Sequence, residues 1–199
     1  DRVVVLGRDV EEPVDLVGHD WGALLVMRTV CVAPECVRTW TAGAAPIDPE
    51  YRWHETAQGW QTPEIGEQMM AMITPELMAP GLQAAGVPEA EAREAAVRMD
   101  TIMKGCILKL YRSAVDVNRE WAPELSGISR PGIVLWGEND SFSAPVHGER
   151  TAKNANARFQ LYPGCNHWWQ LERPAEVAAA LAEHWECAER FFRLRNGSA

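Results

Sequence analysis

The sequence predicts an α/β protein in which a mostly parallel sheet is flanked by helices and interrupted by a helical insertion. Short runs rich in β-branched residues alternate with helical segments near both ends of the chain, a pattern typical of parallel sheets built from βα units. The middle of the chain lacks such runs, and its apolar residues recur at helical spacing instead. With 47% hydrophobic and 24% charged residues, the composition is that of an ordinary globular domain.

The first part of the chain predicts strands at residues 3–6 and 14–17. The second strand runs into the turn Gly18-His19-Asp20-Trp21-Gly22, and residues 23–32 follow as a buried helix. A strand, a glycine-flanked turn and a helix in this order form a βα unit. Residues 37–42, rich in β-branched and aromatic side chains, predict the next strand.

The segment 46–125 predicts a helical cap, which would divide the chain into a core of residues 1–45 and 126–199 and an insertion. Prolines separate three helical stretches at residues 64–72, 75–84 and 89–110. Two interpretations of the methionines in this segment stay open. Flexible methionines pack irregular helix contacts, and they would equally line a substrate pocket. The methionines of this segment are Met69, Met70, Met72, Met78, Met99 and Met103.

The alternation of strands and helices returns after residue 126. Strands are predicted at residues 132–136 and 158–162, with a helix at residues 146–154 between them. The last helix is predicted at residues 174–192, with a proline in its first turn, where helices tolerate it best.

Charge and cysteine content exclude several classes of partner. The net charge of −9 argues against nucleic acid, which is bound by clustered Lys and Arg side chains. The five cysteines are scattered, with no CxxC pair, and indicate neither a disulfide framework nor a zinc site. No apolar run approaches the roughly 18 residues of a membrane span, and no secretory signal is visible. We therefore expect a cytoplasmic protein without a membrane or nucleic-acid partner.

Three titratable residues follow predicted strands: Asp20, Asp140 and His167. Because reactive groups gather at the carboxyl ends of parallel strands, we expect these side chains to lie together. Their chain order is nucleophile, acid and base, with aspartate where serine is usual. The alternative for Asp20 is a helix-capping residue in a buried turn.

The predicted turn around Asp20 has a physical rationale. Gly18 and Gly22 would allow a close approach of strand and helix that Cβ atoms would prevent. The helix N-terminus favours the anionic carboxylate of Asp20. The backbone N–H of Trp21 would donate to an oxyanion.

These motifs resemble the α/β-hydrolase superfamily, and within it the branch with an aspartate nucleophile, the epoxide hydrolases and haloalkane dehalogenases. The resemblance covers residues 14–185. It rests on the turn Gly18-His19-Asp20-Trp21-Gly22, on Tyr111-Arg112 with Asn118-Arg119-Glu120-Trp121, and on Gly164-Cys165-Asn166-His167-Trp168 followed by Glu172-Arg173-Pro174.

The resemblance implies hydrolysis of a small apolar electrophile through an ester on Asp20. His167, oriented by Asp140, would activate the water that cleaves this ester, and no metal or organic cofactor is implied. For an epoxide, which becomes a vicinal diol, Tyr111 would donate the proton to the opening ring. Tyr51 lies at the wrong spacing for the family's second tyrosine.

A haloalkane dehalogenase with the same three residues is the alternative enzyme. The leaving halide would then need N–H donors, which Trp21 together with Trp53 or Trp60 would supply. These tryptophans are otherwise core or pocket-wall residues.

One departure from the family pattern concerns the segment before the turn. Family members carry several strands and a His-Gly-x-Pro loop there, which supplies a second oxyanion donor, whereas only residues 1–13 precede the second predicted strand. The sequence therefore predicts an N-terminally truncated core, either a fragment or a shortened homologue that completes its sheet as a homodimer. A non-catalytic binding or dimerising scaffold is the alternative to an enzyme.

Overall fold

The computed structural model describes residues 12–196, so the predicted strand at residues 3–6 lies outside the described residues. Four parallel strands form one sheet in the order β1-β2-β3-β4. They are β1 (Val14–His19), β2 (Val37–Gly43), β3 (Gly132–Gly137) and β4 (Arg158–Tyr162). The predicted parallel sheet flanked by helices is confirmed. Among the described strands, β1 pairs with β2 alone.

The two faces of the sheet carry separate apolar clusters because successive side chains of a strand point to opposite faces. Val134 and Trp136 of β3 pack on one face with α1 (Trp21–Val32) and α9 (Pro145–Asn154). Ile133 and Leu135 pack on the other face, against Trp169 and Val177. These two residues belong to α10 (Trp169–Glu172) and α11 (Pro174–Asn196). All six residues of β3 are buried, so this strand is the centre of the core.

The connection between β2 and β3 holds seven helices within the described residues. They are α2 (Glu55–Gln61), α3 (Ile65–Met72), α4 (Pro75–Ala84), α5 (Glu89–Val97), α6 (Thr101–Ser113), α7 (Val117–Glu120) and α8 (Ala122–Leu125). Their position in the chain coincides with the segment predicted as a cap.

The prediction of one helix at residues 89–110 is wrong. The chain leaves the helix after Val97 and starts a new one at Thr101. The Asp100 carboxylate accepts a hydrogen bond from the Met103 backbone N–H (2.8 Å), which caps the second helix. Aspartate is a preferred N-cap residue because its side chain satisfies a backbone donor that has no partner within the helix.

No helix within residues 12–196 combines the length and apolar character that crossing a membrane would require.

Candidate active site

The carboxyl ends of three strands bring Asp20, Asp140 and His167 together. Asp20 follows β1, Asp140 lies three residues after β3, and His167 lies five residues after β4. His167 Nδ1 is 2.9 Å from Asp140 Oδ2, and His167 Nε2 is 3.8 Å from Asp20 Oδ1. The Asp140 side chain is fully buried, whereas 41% of the Asp20 side chain is exposed to the cavity and solvent.

The contacts of Asp140 select the proton position on His167. One carboxylate oxygen of Asp140 accepts from the backbone N–H groups of Phe142 and Ser143, at 2.9 and 3.2 Å. The other oxygen faces His167 Nδ1. An ionised carboxylate only accepts, so Nδ1 carries the proton and Nε2 presents a lone pair toward Asp20. This is the arrangement of a general base.

Asp20 occupies a strained turn between β1 and α1. Its backbone φ of 53° lies in the left-handed region, which residues other than Gly, Asn and Asp rarely adopt. The Asp20 backbone N–H donates to Gly43 O (2.9 Å), which ties the turn to β2. No cap hydrogen bond of its side chain is present in α1, so the alternative role as a helix-capping residue is not seen.

Only one of the two flanking glycines is needed for close packing. A Cβ on Gly18 would lie 2.2 Å from Gly22 O, so any larger residue there would collide with the start of α1. A Cβ on Gly22 would meet no atom within 4 Å. The expectation of steric need therefore holds for Gly18 and is wrong for Gly22, whose Cβ direction points into open space.

The loop that carries His167 is fixed by several polar contacts. The ring Nε2–H of His19 donates to the backbone oxygen of His167 (2.9 Å), because a carbonyl oxygen can only accept. Burial lowers the pKa of His19, which favours its neutral ring. The backbone N–H and side-chain amide of Asn166 donate to Glu172, at 2.7 and 3.1 Å. A Cβ on Gly137 would lie 2.0 Å from Asn166 O, so the end of β3 must be glycine for this loop to approach.

A cavity of about 620 Å³ opens above Asp20 and His167. Its lining comes mainly from the helices between β2 and β3 and is mostly apolar, with polar groups close to Asp20. A pocket of this size is in the range of about 300–1,000 Å³ that holds small-molecule ligands. The Asp20 carboxylate and the free nitrogen of His167 therefore face one mostly apolar cavity that is large enough for a small molecule.

Tyr111 projects from α6 into this cavity and is only 7% exposed. Its ring meets those of Trp21, Trp53 and Trp60 edge to face, with centroids 5.0 to 5.3 Å apart. Burial, followed by the negative charge of Asp20, raises the pKa of Tyr111 to about 12. The hydroxyl therefore stays protonated near neutral pH and is available as a donor.

A family model for the alpha/beta hydrolase family matches residues 1–180. The chain belongs to the alpha/beta hydrolase family. Comparison with curated proteins gave no match.

Solved structures share the fold of this hydrolase at low sequence identity, which shows the fold alone. A candidate non-heme bromoperoxidase, BpoC, from Mycobacterium tuberculosis H37Rv is 20% identical with a TM-score of 0.71, over 94% of this chain and 72% of that one. An enol-lactonase from Burkholderia xenovorans LB400 is 19% identical with a TM-score of 0.66, over 93% and 70%. A meta-cleavage product hydrolase from Pseudomonas fluorescens IP01 is 15% identical with a TM-score of 0.70, over 94% and 70%.

The three tryptophans predicted to bind substrate in this hydrolase differ in their N–H groups. The Trp53 indole N–H donates to Val115 O (3.0 Å), so only its ring faces the cavity. The Trp60 indole N–H is buried and has no hydrogen-bond partner among the described residues. The indole N–H of Trp21 lowers the pKa of Tyr111 by its attraction for the hydroxyl oxygen, yet it does not reach hydrogen-bond geometry. The Trp21 backbone N–H begins α1 and is one of the helix's free first-turn donors.

Tyr51, His54 and Phe142 also line the hydrolase cavity, and the sequence did not assign them to the site. Tyr51 donates its hydroxyl to Phe142 O (3.1 Å). The Phe142 ring lies between those of His54 and His167, with centroid distances of 5.0 and 4.8 Å. The sequence could have indicated Phe142 as a site residue, because it follows Asp140 by two residues and so lies near the same carboxyl end of β3.

Proposed function

We propose that this hydrolase opens epoxides to vicinal diols through a covalent ester on Asp20. One observation carries the proposal: an aspartate, rather than a serine, occupies the strained turn 3.8 Å from the free nitrogen of His167. A carboxylate is already charged at neutral pH and can attack an sp³ carbon without first losing a proton. The ester that results is cleavable by water.

In the first step, a carboxylate oxygen of Asp20 forms a bond to a ring carbon. The bond from that carbon to the ring oxygen breaks, and its electron pair stays on the oxygen. Tyr111 gives this oxygen its hydroxyl proton, for which its buried position beside Asp20 suits it. The products of the step are an alkyl ester of Asp20 and a Tyr111 phenolate.

In the second step, His167 Nε2 takes a proton from water, and the hydroxide adds to the carbonyl carbon of the ester. The Trp21 backbone N–H stabilises the oxyanion. The ester C–O bond then breaks, and the leaving alkoxide takes the proton from His167, which releases the diol. The proton left on the Asp20 carboxyl group returns to the Tyr111 phenolate through solvent. The net reaction is therefore epoxide plus water to vicinal diol, and all three side chains return to their starting states.

Asp20 argues against acyl substrates. The structural neighbours include an enol-lactonase and an esterase, which by their names act on carboxylic esters. Attack of a carboxylate on an acyl carbon would give a mixed anhydride, from which the reverse reaction is easy. An electrophilic sp³ carbon is therefore the better match for this chain.

Haloalkane hydrolysis is a second candidate, favoured by the cavity residue Trp60, whose buried indole N–H has no hydrogen-bond partner among the described residues. A departing halide accepts hydrogen bonds and needs no proton. Tyr111 would then have no chemical role.

The experiment is a single turnover in H₂¹⁸O with a panel of epoxides and haloalkanes. The attacking water adds to the ester carbonyl, so the label is expected in the Asp20 carboxyl group, detected by mass spectrometry of its peptide, with diol as product. His167→Gln is expected to accumulate the alkylated Asp20 peptide. Asp20→Asn should be inactive, and Asp116→Asn, an exposed carboxylate in a weak pair with Arg119, is the matched control.

Each other outcome has a distinct meaning. Halide release with a labelled Asp20 would replace the epoxide proposal by the dehalogenase. Label in the diol alone would show direct attack by water and overturn the covalent step. No turnover of any substrate, with ligand-dependent stabilisation, would favour the non-catalytic scaffold.

A further inference from the structure

The wall of the cavity is formed largely by methionine and other unbranched or aliphatic side chains. Five of the six methionines in the helical connection line it: Met69, Met70, Met72, Met78 and Met99. Met103, the sixth, is 48% exposed and does not. The pocket alternative for the methionines is therefore the better description. Methionine side chains are flexible and polarizable, so such a wall adapts to apolar groups of different shape.

Fixed charge in the cavity is confined to the reacting end. Among the described lining residues, Asp20 is the sole carboxylate, and no lysine or arginine is present. Burial lowers the pKa of His54, which favours the neutral form of this second lining histidine. An anionic substrate would meet the charge of Asp20 without a compensating cation, which is costly in an apolar cavity.

The mouth of the cavity continues this apolar character. Met72 and Leu77, both lining residues, are 65% and 67% exposed. Apolar side chains that line a cavity and also reach solvent form a continuous path for a hydrocarbon chain. A small epoxide of a few carbons would leave most of the 620 Å³ unfilled.

Resting on the function proposed above, we propose that the substrate is an uncharged epoxide with a long hydrocarbon tail. The epoxide ring lies at Asp20, and the tail lies along the methionine wall of α3 and α4 toward the mouth. The tail supplies the binding free energy, and the polar end supplies the chemistry.

The test is a homologous series of terminal 1,2-epoxyalkanes from about four to about twelve carbons. Each added methylene is expected to raise kcat/KM about fourfold until the cavity is filled. A chain ending in a carboxylate is expected to lose this gain. The proposal would be overturned if kcat/KM stayed constant or fell with chain length, or if a chain ending in a carboxylate had the same kcat/KM as the uncharged chain of equal length.

A matched pair of substitutions tests the wall. Met78→Gln places an amide against the tail and is expected to lower kcat/KM for the longest epoxide on the order of tenfold, with a small effect on the shortest. Met103→Gln makes the same change outside the cavity and should match the wild type. Equal losses in both variants would contradict the assigned wall.

Binding separates this inference from the proposed chemistry. The Kd values of the alkyl series for Asp20→Asn, followed by fluorescence of the cavity tryptophans, should fall with chain length. If they do so but no epoxide is turned over by the wild type, the chemistry fails and the tail site stands. If diols form without a chain-length dependence in rate or Kd, the tail site fails and the chemistry stands.

A contact at the start of α2 fixes the tautomer of His54. His54 is the N-cap of α2, and its Nδ1 accepts from the Ala57 backbone N–H (3.3 Å). An accepting Nδ1 places the proton of the neutral ring on Nε2. Nε2 has no partner within residues 12–196, and the ring lines the cavity that holds Asp20 and Tyr111.

We infer that His54 Nε2–H is a second donor to the epoxide oxygen, beside the Tyr111 hydroxyl. This inference also rests on the proposed function. The first step places negative charge on this oxygen, and an additional donor stabilises that charge before the proton transfer is complete.

His54→Asn is the decisive variant, because asparagine keeps an N-cap acceptor while the Nε2 donor is lost. The rate of Asp20 alkylation in a single turnover is expected to fall about a hundredfold, with ester hydrolysis and Tm little changed. His54→Ser, a second capping residue, serves if the first variant folds poorly. Alkylation at the wild-type rate in either variant, or equal losses in both steps, would overturn the inference.

Discussion

His167 Nε2 lies 3.8 Å from Asp20 Oδ1, a separation too long for a hydrogen bond. The Asp20 carboxylate is therefore not hydrogen-bonded to His167, and the lone pair on His167 Nε2 stays free for a water molecule. The two groups differ in exposure as well, since the His167 side chain is 6% exposed and that of Asp20 is 41% exposed. This geometry suits a reaction in which Asp20 attacks first and His167 acts only afterwards.

Asp140→Asn is expected to impair the second step far more than the first. The buried carboxylate holds the Nδ1 proton of His167, and an amide there favours the wrong tautomer. We expect hydrolysis of the Asp20 ester to slow on the order of 10³–10⁴-fold, with Asp20 alkylation retained, as measured by stopped-flow and quenched single turnovers. Glu138→Gln, an exposed acceptor for Gly164 N–H near the same loop, is the control. Rapid ester hydrolysis in Asp140→Asn would remove His167 as the base.

Tyr111→Phe distinguishes the two candidate reactions. The variant keeps the ring contacts with Trp21, Trp53 and Trp60 and removes only the hydroxyl. Epoxide opening is expected to slow about 10²-fold because the donor of the proton is lost, while any halide release stays at the wild-type rate. Thermal unfolding verifies that packing is retained. Undiminished diol formation would exclude Tyr111 as the donor.

Gly18→Ala and Gly22→Ala should have opposite effects on the free energy of unfolding. A methyl on Gly18 would lie 2.2 Å from Gly22 O, and we expect a loss of about 3 kcal/mol. A methyl on Gly22 meets nothing within 4 Å, and alanine in a helix is more favourable by about 0.5–1 kcal/mol. Urea unfolding measures both values. Similar losses in both variants would mean that the turn is packed differently from the structure described.

Stability is expected to fall on acidification below about pH 6.5. Burial is the largest cause that lowers the pKa values of His19, His54 and His184 from their usual 6.5. The unfolded chain then binds more protons than the folded one, so this contribution is complete above pH 6.5 and is lost as the pH falls through the folded pKa values. Tm measured between pH 8 and about pH 5 checks the direction. His184→Gln, at a position that is 4% exposed, should make the decline shallower, and an unchanged slope would exclude His184 as a contributor.

Asp48→Asn is expected to loosen the segment that carries Tyr51, Trp53 and His54 into the cavity. The buried Asp48 carboxylate contacts His147 Nδ1 of α9 at 2.6 Å. Burial alone would raise the pKa of Asp48, but the bonds from His147 and the Glu50 backbone N–H lower it below its usual range. We expect a loss of about 2 kcal/mol in unfolding free energy.

Glu50→Gln is the control for Asp48→Asn, because the exposed Glu50 pairs with Arg150 at the surface. A change below about 0.5 kcal/mol is expected there. Equal losses of unfolding free energy in the two variants would show that the buried Asp48 carboxylate contributes no more to stability than the exposed Glu50 carboxylate.

Local patterns in the sequence were sufficient to predict the alternation of strands and helices and the order of Asp20, Asp140 and His167. Local patterns were not sufficient to predict the burial of single side chains or the exact ends of helices, which depend on packing and capping. His184 is buried because α11 lies against the sheet through that side, and the helical pattern alone does not show which side of α11 is covered. The break between α5 and α6 was missed because Asp100 competes as a cap with continuation of an otherwise helical pattern.

The sequence by itself determined that a carboxylate would stand in a strand-to-helix turn and that an acid and a histidine would follow two later strands, because each depends on neighbouring residues. The tertiary structure decided which groups are free to act. The Trp53 indole N–H already donates to Val115 O, while the Trp60 indole N–H has no hydrogen-bond partner within residues 12–196. His54 is held in one tautomer, and five methionines line one cavity. Helical spacing fixes the apolar face of each helix but not which helix that face meets, so these properties arise only when the helices pack.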